Sequence, residues 1–186
     1  GVPFQVVVSE KSDDVTTTRK NGGSLGFITE KDYPLLYAWA KTAKSEMVNN
    51  VAINDGLGYN IVKRLGEKDG EMEVSASHIL ICYEGAQGCT ATLTKEQALA
   101  KANDLKSKVN AQNFAVLAKL NSTEPGADKS GGDLGFFKKG QMVPEFENAV
   151  WNAATNTIVG PVETAFGYHL IYRKVARTQK VYEVAR

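Results

Sequence analysis

A short glycine motif occurs twice in the sequence, and this repeat constrains the fold more than any other feature. Residues 22–27 (GGSLGF) match residues 131–136 (GGDLGF) at an offset of 109 residues. The dipeptide Gly58-Tyr59 matches Gly167-Tyr168 at the same offset. Two separated motifs at one offset are hard to obtain by chance, so the sequence predicts two copies of one folding unit.

The first copy is predicted to be incomplete. Its match to the second copy begins near Phe4, which corresponds to Phe114, and it has no counterpart to the strand that carries His78 or to the helix after that strand. The polar, glycine-bounded segment 65–70 (LGEKDG) is expected to be a linker. The sequence thus predicts an incomplete, degenerate repeat, a complete domain and a tail, over residues 1–70, 71–176 and 177–186.

The charges and the apolar runs exclude several classes of protein. The chain has 22 Lys and Arg against 21 Asp and Glu, without a basic block, which argues against a nucleic-acid partner. No apolar run approaches the roughly 18 residues that a membrane span needs. The sequence shows no signal-peptide pattern at Gly1, and its start without Met predicts a trimmed or processed fragment.

The second copy has the pattern of an α+β domain. Residues 74–82 alternate in polarity and end in an apolar run, which is typical of a buried strand. Thr94 and Gln97 have the spacing of a capping box at the start of a helix. Other helices are predicted near Phe114 and from Pro144, strands over residues 134–137 and 168–172, and loops over residues 83–93 and 121–130. Few strands with segregated helices predict an antiparallel sheet.

In the first copy, the pattern predicts a helix followed by a strand. Residues 33–48 are rich in helix formers, with Pro34 near the start. Asn54-Asp55-Gly56 is a turn signal, and residues 59–65 are predicted to form a strand.

The stretch from Gly131 to Arg173 carries a specific signature. It opens GGDLGFFKKGQMVPEFENAVW and closes GPVETAFGYHLIYR, and Ser77-His78-Ile79-Leu80 precedes it. Together these residues resemble the parvulin family of peptidyl-prolyl cis–trans isomerases, over residues 73–175. The resemblance implies an FKBP-like fold, in which helices surround a four-stranded antiparallel sheet. It also implies an enzyme without metal or cofactor.

Isomerisation of an Xaa-Pro bond makes and breaks no covalent bond. Its barrier of about 18–20 kcal/mol comes from resonance that places partial charges on the amide oxygen and nitrogen. Water stabilises that charge-separated planar form, so a dry apolar pocket favours the twisted transition state. The resemblance assigns this pocket to Leu134, Met142 and Phe146, with Phe166 as an aromatic beside it. By pattern alone, these side chains could instead be ordinary core residues.

The resemblance also implies four polar residues of the active site. His78 and His169 are the only histidines of the chain, and they match the paired histidines of parvulins. Thr164 matches a hydroxyl position that would join their hydrogen-bond network. Glu124 lies where the family carries Asp or Cys facing the substrate carbonyl. It keeps the charge but is one methylene longer, and its alternative role is that of a solvated loop acid.

The first copy is predicted to be non-catalytic. Asn60 replaces His169, Tyr33 replaces Met142 and Tyr37 replaces Phe146. Asp14 matches Glu124, but one acid without the other groups makes no site. In the second copy, residues 83–93 contain no Lys or Arg, so nothing there suits a phosphorylated substrate.

Cys82 and Cys89 flank a glycine-containing loop. The loop is flexible enough to close a disulfide, and oxidation is expected if the protein is exported. Two free thiols, with Cys82 as a small buried apolar residue, are equally compatible with the sequence.

The resulting functional prediction is an isomerase for unphosphorylated Xaa-Pro bonds of unfolded or exported proteins. Tandem parvulins with one inactive copy resemble SurA-like chaperones, which implies a periplasmic, secreted or cell-envelope location, although a cytoplasmic one stays open. The alternative is a peptide-binding chaperone module with negligible catalysis. A purely structural spacer fits less well, because the second copy keeps its pocket residues.

The tail is a candidate for the strand that the first copy lacks. Residues 181–184 (VYEV) match residues 71–74 (EMEV) at an offset of 110, in the segment that leads to His78. An unfilled sheet edge invites another strand. The tail could fill this edge within one molecule or by exchange in a dimer, or it could be disordered.

Overall fold

The computed structural model describes residues 1–15 and 19–186. The chain separates into two compact units, one formed by Gly1–Gly70 with Gln179–Arg186 and the other by Glu71–Thr178. The elements in chain order are α1 (Phe4–Lys11), β1 (Ser24–Ile28), α2 (Pro34–Thr42), β2 (Ile53–Asn54), β3 (Tyr59–Asn60), β4 (Lys63–Ile81), α3 (Lys95–Lys108), α4 (Phe114–Asn121), α5 (Ala127–Ser130), β5 (Asp133–Phe137), α6 (Pro144–Asn152), β6 (Thr157–Thr164) and β7 (Gly167–Ala185).

The first unit contains α1, α2, the β2–β3 hairpin, β1 and the ends of β4 and β7. β1 runs antiparallel to the end of β7, with Ser24 opposite Ala185 and Ile28 opposite Tyr182. The residues predicted as a tail are therefore a strand of this unit. Its buried core consists of Ile28, Leu36, Tyr37, Ala40, Val62, Tyr182 and Val184.

The prediction of a linker at residues 65–70 is wrong, because these residues belong to β4. Their polar side chains have partners within the first unit. Lys180 Nζ lies 3.0 Å from Asp69 Oδ1 and 3.6 Å from Glu67 Oε1. Lys68 Nζ lies 4.0 Å from the centre of the Phe27 ring. Cross-strand charge pairs of this kind stabilise a strand whose sequence alone has the composition of a loop.

Two boundaries in the first unit differ from the prediction. The helix predicted over residues 33–48 ends at Thr42, and the Ala43 carbonyl beyond it accepts a hydrogen bond from the Arg64 guanidinium. The strand predicted over residues 59–65 is interrupted after Asn60. There the Asn49 side chain replaces a strand partner: its Oδ1 accepts from the Val62 N–H at 2.6 Å, and its Nδ2 donates to the Asn60 carbonyl at 3.2 Å.

The second unit is an α+β domain with a four-stranded sheet, as predicted. β7 and β4 are neighbours at its centre, β6 pairs antiparallel with β7, and β5 pairs antiparallel with β4. Successive side chains of a strand point to opposite faces. On one face, Ile79 and Ile81 pack with α3 and α4. On the other face, Val74, Ala76 and Ile171 pack with α6. His78 and His169 share this second face, because each lies two residues from one of these residues.

The helices of the second unit begin where their sequences predict. Thr94 and Gln97 form the reciprocal capping box of α3, and Pro144 is the first residue of α6. The loop predicted over residues 121–130 contains one turn of helix, α5, which was not predicted. The residues that flank this turn, Gly126 and Gly131, have left-handed backbone conformations. A single turn is too short to show a helical period. No helix in the described part of the chain is long and apolar enough to cross a bilayer.

Candidate active site

A hydrogen-bonded chain of side chains connects the two central strands of the second unit. The Nδ1 atoms of His78 and His169 lie 3.1 Å apart, and the two rings stack with their planes 14° apart. The Thr164 hydroxyl lies 2.8 Å from His169 Nε2. The N–H of Phe166 donates to Thr164 Oγ1 at 3.1 Å. The structure thus brings three predicted polar residues into one buried network, with Phe166 tied to it through its backbone.

Both histidines are neutral near pH 7. Burial lowers the pKa of His78 to about 4. Burial, with a smaller repulsion from His78, lowers the pKa of His169 to about 3. One proton lies between the two Nδ1 atoms, and the Thr164 hydroxyl can donate to or accept from His169 Nε2. Either arrangement satisfies the network with uncharged rings, so the network orients the site without a net charge.

Phe146 forms the apolar floor beneath the two imidazoles. Its ring centre lies 5.7 Å from that of His78 and 5.4 Å from that of His169, with both rings edge-on to it. Phe146 is 3% exposed, and it also contacts the Phe137 ring. Leu134 and Met142 pack on the same apolar cluster but remain half-buried. These two side chains therefore keep surface that a proline ring could cover.

Gly132 fixes the position of the strand that carries His78. The His78 N–H donates to the Gly132 carbonyl at 2.9 Å. Gly132 has a φ of +75°, and a Cβ on it would lie 2.0 Å from the His78 carbonyl oxygen. Glycine is therefore required here by both conformation and space. The sequence shows the glycine pair only as a break in local structure, so its contact with His78 was not predicted.

Glu124 follows two residues that attach its loop to β4. The Ser122 hydroxyl oxygen accepts from the Leu80 N–H at 3.1 Å, and Thr123 Oγ1 accepts from the Cys82 N–H at 3.0 Å. These contacts were missed, although hydroxyl residues directly before Glu124 were a signal. Glu124 is half-buried, and its carboxylate makes no hydrogen bond or ion pair with the residues that the structure describes. It is the one predicted site residue that the structure does not join to the others.

A disulfide lies directly after β4. Cys82 and Cys89 are bonded, with their Cα atoms 5.7 Å apart, which decides between the two alternatives left open by the sequence. The Gln87 N–H within this loop donates to the Ala165 carbonyl at 2.8 Å. Because Ala165 lies between Thr164 and Phe166, the closed loop is tied to the turn that carries the site.

Comparison with known proteins identifies the family. Residues 59–177 match the family described as PPIC-type PPIASE domain. The Chaperone SurA of Polaromonas sp. (strain JS666) is 35% identical over 179 residues, which cover 92% of this chain and 36% of that protein. The Foldase protein PrsA of Halalkalibacterium halodurans is 39% identical over 104 residues, which cover 56% of this chain and 27% of that protein.

Among solved structures, peptidyl-prolyl isomerase ESS1 from Candida albicans is 29% identical to this chain. The match covers 55% of this chain and 63% of that one, with a TM-score of 0.49. The chain spans about a third of the length of the curated SurA relatives that it matches. The family match extends from Tyr59 through both histidines and Phe146 to Arg177. The chain therefore belongs to the PPIC-type family, and its second unit is a parvulin-type peptidyl-prolyl isomerase domain.

Proposed function

We propose that the second unit isomerises unphosphorylated Xaa-Pro bonds in unfolded polypeptides. The observation that carries this proposal is the neutral, buried pair His78 and His169, packed nearly perpendicular to the ring of Phe146. Leu134 and Met142, beside this floor, provide apolar surface for the proline ring. The family membership supports the same activity.

In the proposed mechanism, the pocket acts by excluding water from the amide. The planar amide carries partial charges that water stabilises, and the twisted amide has lost them. Apolar contacts with Met142 and Phe146 remove that water. This loss raises the free energy of the planar amide more than that of the twisted amide, so the barrier to rotation falls. The Glu124 carboxylate, placed near the substrate carbonyl, would further raise the energy of the planar form, because that form holds more negative charge on oxygen.

The proposed preference for unphosphorylated substrates rests on the charges near the disulfide loop, which offer a phosphate no available cation. Residues 83–93 contain no Lys or Arg. Lys95, which begins α3, already pairs with Glu163 at 2.5 Å, and this contact lowers the pKa of the Glu163 carboxyl. A substrate phosphate would have to displace that carboxylate to gain a cation.

The test is NMR exchange spectroscopy on a short peptide with one Xaa-Pro bond. Added protein should accelerate the exchange of the unphosphorylated peptide more than that of its phosphoserine-proline counterpart. Equal rates with and without protein would contradict isomerase activity. A faster rate on the phosphopeptide would contradict only the substrate preference.

A second candidate function is peptide binding with negligible catalysis, as in a chaperone. The Glu124 carboxylate favours it, because within residues 1–15 and 19–186 this group has no hydrogen bond or ion pair that would fix it in the site. The relatives named Chaperone SurA and Foldase protein PrsA are also consistent with it. Suppression of client aggregation that survives Met142→Ala, combined with no measurable exchange, would favour this candidate over the isomerase.

We propose in addition that the first unit is a non-catalytic copy of the second. Ile53 lies opposite Asn60 in one hairpin, as Val162 lies opposite His169 in the other. The cation over an aromatic ring also recurs, with Lys68 over Phe27 and Arg177 over Phe136. All of these pairs are related by the offset of 109.

In this copy, charged and amide groups stand in place of the histidine network. The Arg186 N–H donates to the Gly23 carbonyl at 2.8 Å, as His78 donates to Gly132. The Arg186 guanidinium lies 3.2 Å from Asn60 Oδ1 and 3.0 Å from Asp14 Oδ2. An ion pair of this kind offers no apolar floor for a proline ring.

The correspondence of α2 with α6 changes two of the predicted equivalences. Pro34 and Pro144 both begin their helices, so the offset in this element is 110. Phe146 then corresponds to Leu36 rather than Tyr37, and Met142 to Asp32 rather than Tyr33. With Leu36 in place of Phe146, the first copy lacks an aromatic floor.

Export from the cytoplasm is proposed from the cysteines. The bond between Cys82 and Cys89 is of the kind that persists in oxidising compartments such as the periplasm or the cell envelope. Alkylation of both thiols in protein isolated without reductant would contradict this location.

A further inference from the structure

In the second unit, β4 extends past the end of its partner strand β5. The pairing of the two strands reaches Ser77, which lies opposite Asp133. One residue further on, the His78 N–H donates to the Gly132 carbonyl at 2.9 Å. The N–H groups of alternate residues point to the same edge of a strand. The next N–H groups on this edge, those two and four residues after His78, therefore need acceptors from outside β5.

Two hydroxyl side chains of the loop after α4 supply these acceptors. The Ser122 hydroxyl oxygen accepts from the Leu80 N–H at 3.1 Å, and Thr123 Oγ1 accepts from the Cys82 N–H at 3.0 Å. Thr123 also binds the strand in the other direction, because its N–H and its hydroxyl both donate to the Leu80 carbonyl, at 2.7 and 3.0 Å. We call Ser122 and Thr123 the hydroxyl clasp, since they hold the edge of β4 where β5 has ended.

The hydroxyl clasp fixes the backbone that leads into Glu124. Glu124 directly follows Thr123, and its own N–H donates to Ser122 Oγ at 3.3 Å. On the other side, Pro125 restricts the chain, and the Glu124 carbonyl accepts from the Ala127 N–H at 3.1 Å. Ala127 is 2% exposed, so this turn is itself anchored in the domain. The backbone of Glu124 is therefore held on both sides.

The side chain of Glu124 is held only through this backbone. It is half-buried, and among the residues described, 1–15 and 19–186, none forms a hydrogen bond or an ion pair with its carboxylate. Half-burial removes part of the water around a charge, and here no protein donor replaces that water. The direction of the carboxylate thus depends on the groups that fix its backbone, and the charge stays available to a substrate.

We infer that Thr123 is a positioning residue for the isomerase reaction and that it acts through the carboxylate of Glu124. This inference rests on the proposed function, in which that carboxylate raises the energy of the planar amide. Because His78 lies on the same strand, β4 holds both the histidine network and the charge. A displacement of about 1 Å in a catalytic arrangement can lower a rate about a hundredfold, so the bonds of one hydroxyl are sufficient to change the rate.

The experiment follows the exchange of an unphosphorylated Xaa-Pro peptide by NMR over a range of peptide concentrations, which separates kcat from KM. Thr123→Val keeps the shape of the side chain and the backbone bond to Leu80 but removes both bonds of the hydroxyl. It should lower kcat about tenfold and leave KM nearly unchanged, because Met142 and Phe146 still contact the proline. Thr123→Ser keeps the hydroxyl and should retain the wild-type kcat.

A double-variant cycle tests whether Thr123 acts through Glu124. Glu124→Gln should lower kcat, and Thr123→Val added to Glu124→Gln should lower it no further. An equal loss of kcat in both backgrounds would overturn the inference, since Thr123 would then act on the fold in general. The matched control is Thr157→Val, which removes the bond from a hydroxyl to the Ala154 carbonyl at 2.6 Å and should leave kcat unchanged.

All rates are measured below the lowest melting temperature of the series, so that unfolding does not contribute to them. A wild-type kcat in Thr123→Val would overturn this inference alone. An unchanged kcat in Glu124→Gln would remove the carboxylate from the mechanism and overturn the inference, while isomerase activity itself would stand. No acceleration of exchange by the wild type would overturn the proposed function and the positioning role with it.

Discussion

His78 and His169 are buried, and the charge of one would repel the charge of the other. While both rings are neutral, the contact between the two Nδ1 atoms and the contact of the Thr164 hydroxyl with His169 Nε2 offset part of the cost of burial. The same burial makes the native state a poor acceptor of protons. The second unit should therefore lose stability under mild acid for a reason that can be assigned to two residues.

We predict that the free energy of unfolding falls as the pH is lowered through 6.5. Unfolded histidines bind protons from an ordinary pKa of 6.5, whereas the folded pKa values are about 4 for His78 and about 3 for His169. Between pH 6.5 and about 4 the unfolded state holds more protons, so each histidine contributes a loss of about 1.4 kcal/mol per pH unit. Urea unfolding at pH 7, 6 and 5 measures this slope.

His169→Asn is the control, since asparagine does not titrate. It should remove about half of the slope. A wild-type slope equal to that of the variant would contradict the assignment to the histidine pair.

Met142 separates catalysis from folding better than Phe146 does. Phe146 is 3% exposed and contacts both imidazoles, so Phe146→Ala should cost about 3–5 kcal/mol of stability as well as activity. Met142 is half-buried, so Met142→Ala should reduce the exchange rate of an Xaa-Pro peptide about tenfold with a small change in melting temperature. Full activity in Met142→Ala would remove this residue from the proline pocket.

The sequence predicts some residues of the site and not others, for a physical reason. His78, Met142 and Phe146 belong to one recognisable motif series with regular local structure. Gly132 and Ser122 act through contacts with β4, far away in the chain, and a local pattern carries no information on such contacts. The place of Glu124 is equally a matter of tertiary structure, and its role stays a prediction.

At the scale of elements, we predict that the disulfide between Cys82 and Cys89 is present in the isolated protein and stabilises the fold. Protein isolated without reductant should show no alkylation of Cys82 or Cys89 by mass spectrometry, and reduction should release both thiols. Because the bond closes a loop of only a few residues, chain entropy gives it a stabilising effect of about 2–3 kcal/mol. The double variant Cys82→Ala with Cys89→Ser should lower the unfolding free energy by about that amount, and an unchanged value would show that the bond does not constrain the unfolded chain.

The alternation of polar and apolar residues predicts only part of the long strand β4. Residues 74–82 have the alternation of a buried strand, and β4 contains all of them except Cys82. Residues 65–70 have the composition of a loop but extend the same strand, because Lys180 and Phe27 supply partners from elsewhere in the chain. Alternation reports burial on one face, so a strand segment with polar partners on its surface gives no such signal.

At the scale of the whole molecule, the first unit is assembled from two distant parts of the chain. The end of β7 places Tyr182 and Val184 in its core, 5% and 0% exposed. The Tyr182 ring packs edge-on against Tyr37 at 5.2 Å, and the Arg64 guanidinium lies 4.7 Å from it. The first unit should therefore depend on residues that follow the entire second unit in the sequence.

Deleting residues 179–186 should lower the melting temperature of the first unit, because β1 loses its partner strand and the core loses two buried side chains. Tyr182→Ala should destabilise the first unit less than the deletion does, with a loss of about 3–5 kcal/mol in its free energy of unfolding. Glu183→Ala, on the half-buried face of the same strand, is the matched control and should change little. Hydrogen–deuterium exchange of the Ile28 and Val62 amides reports on the first unit alone and should become faster. The cis–trans exchange rate of an Xaa-Pro peptide, which reports on the second unit, should stay unchanged.

If the tail instead completes the first unit of a second molecule, light scattering will show a dimer that the deletion abolishes. Unchanged protection of Ile28, together with no dimer to abolish, would mean that the tail is not the strand that holds this unit together.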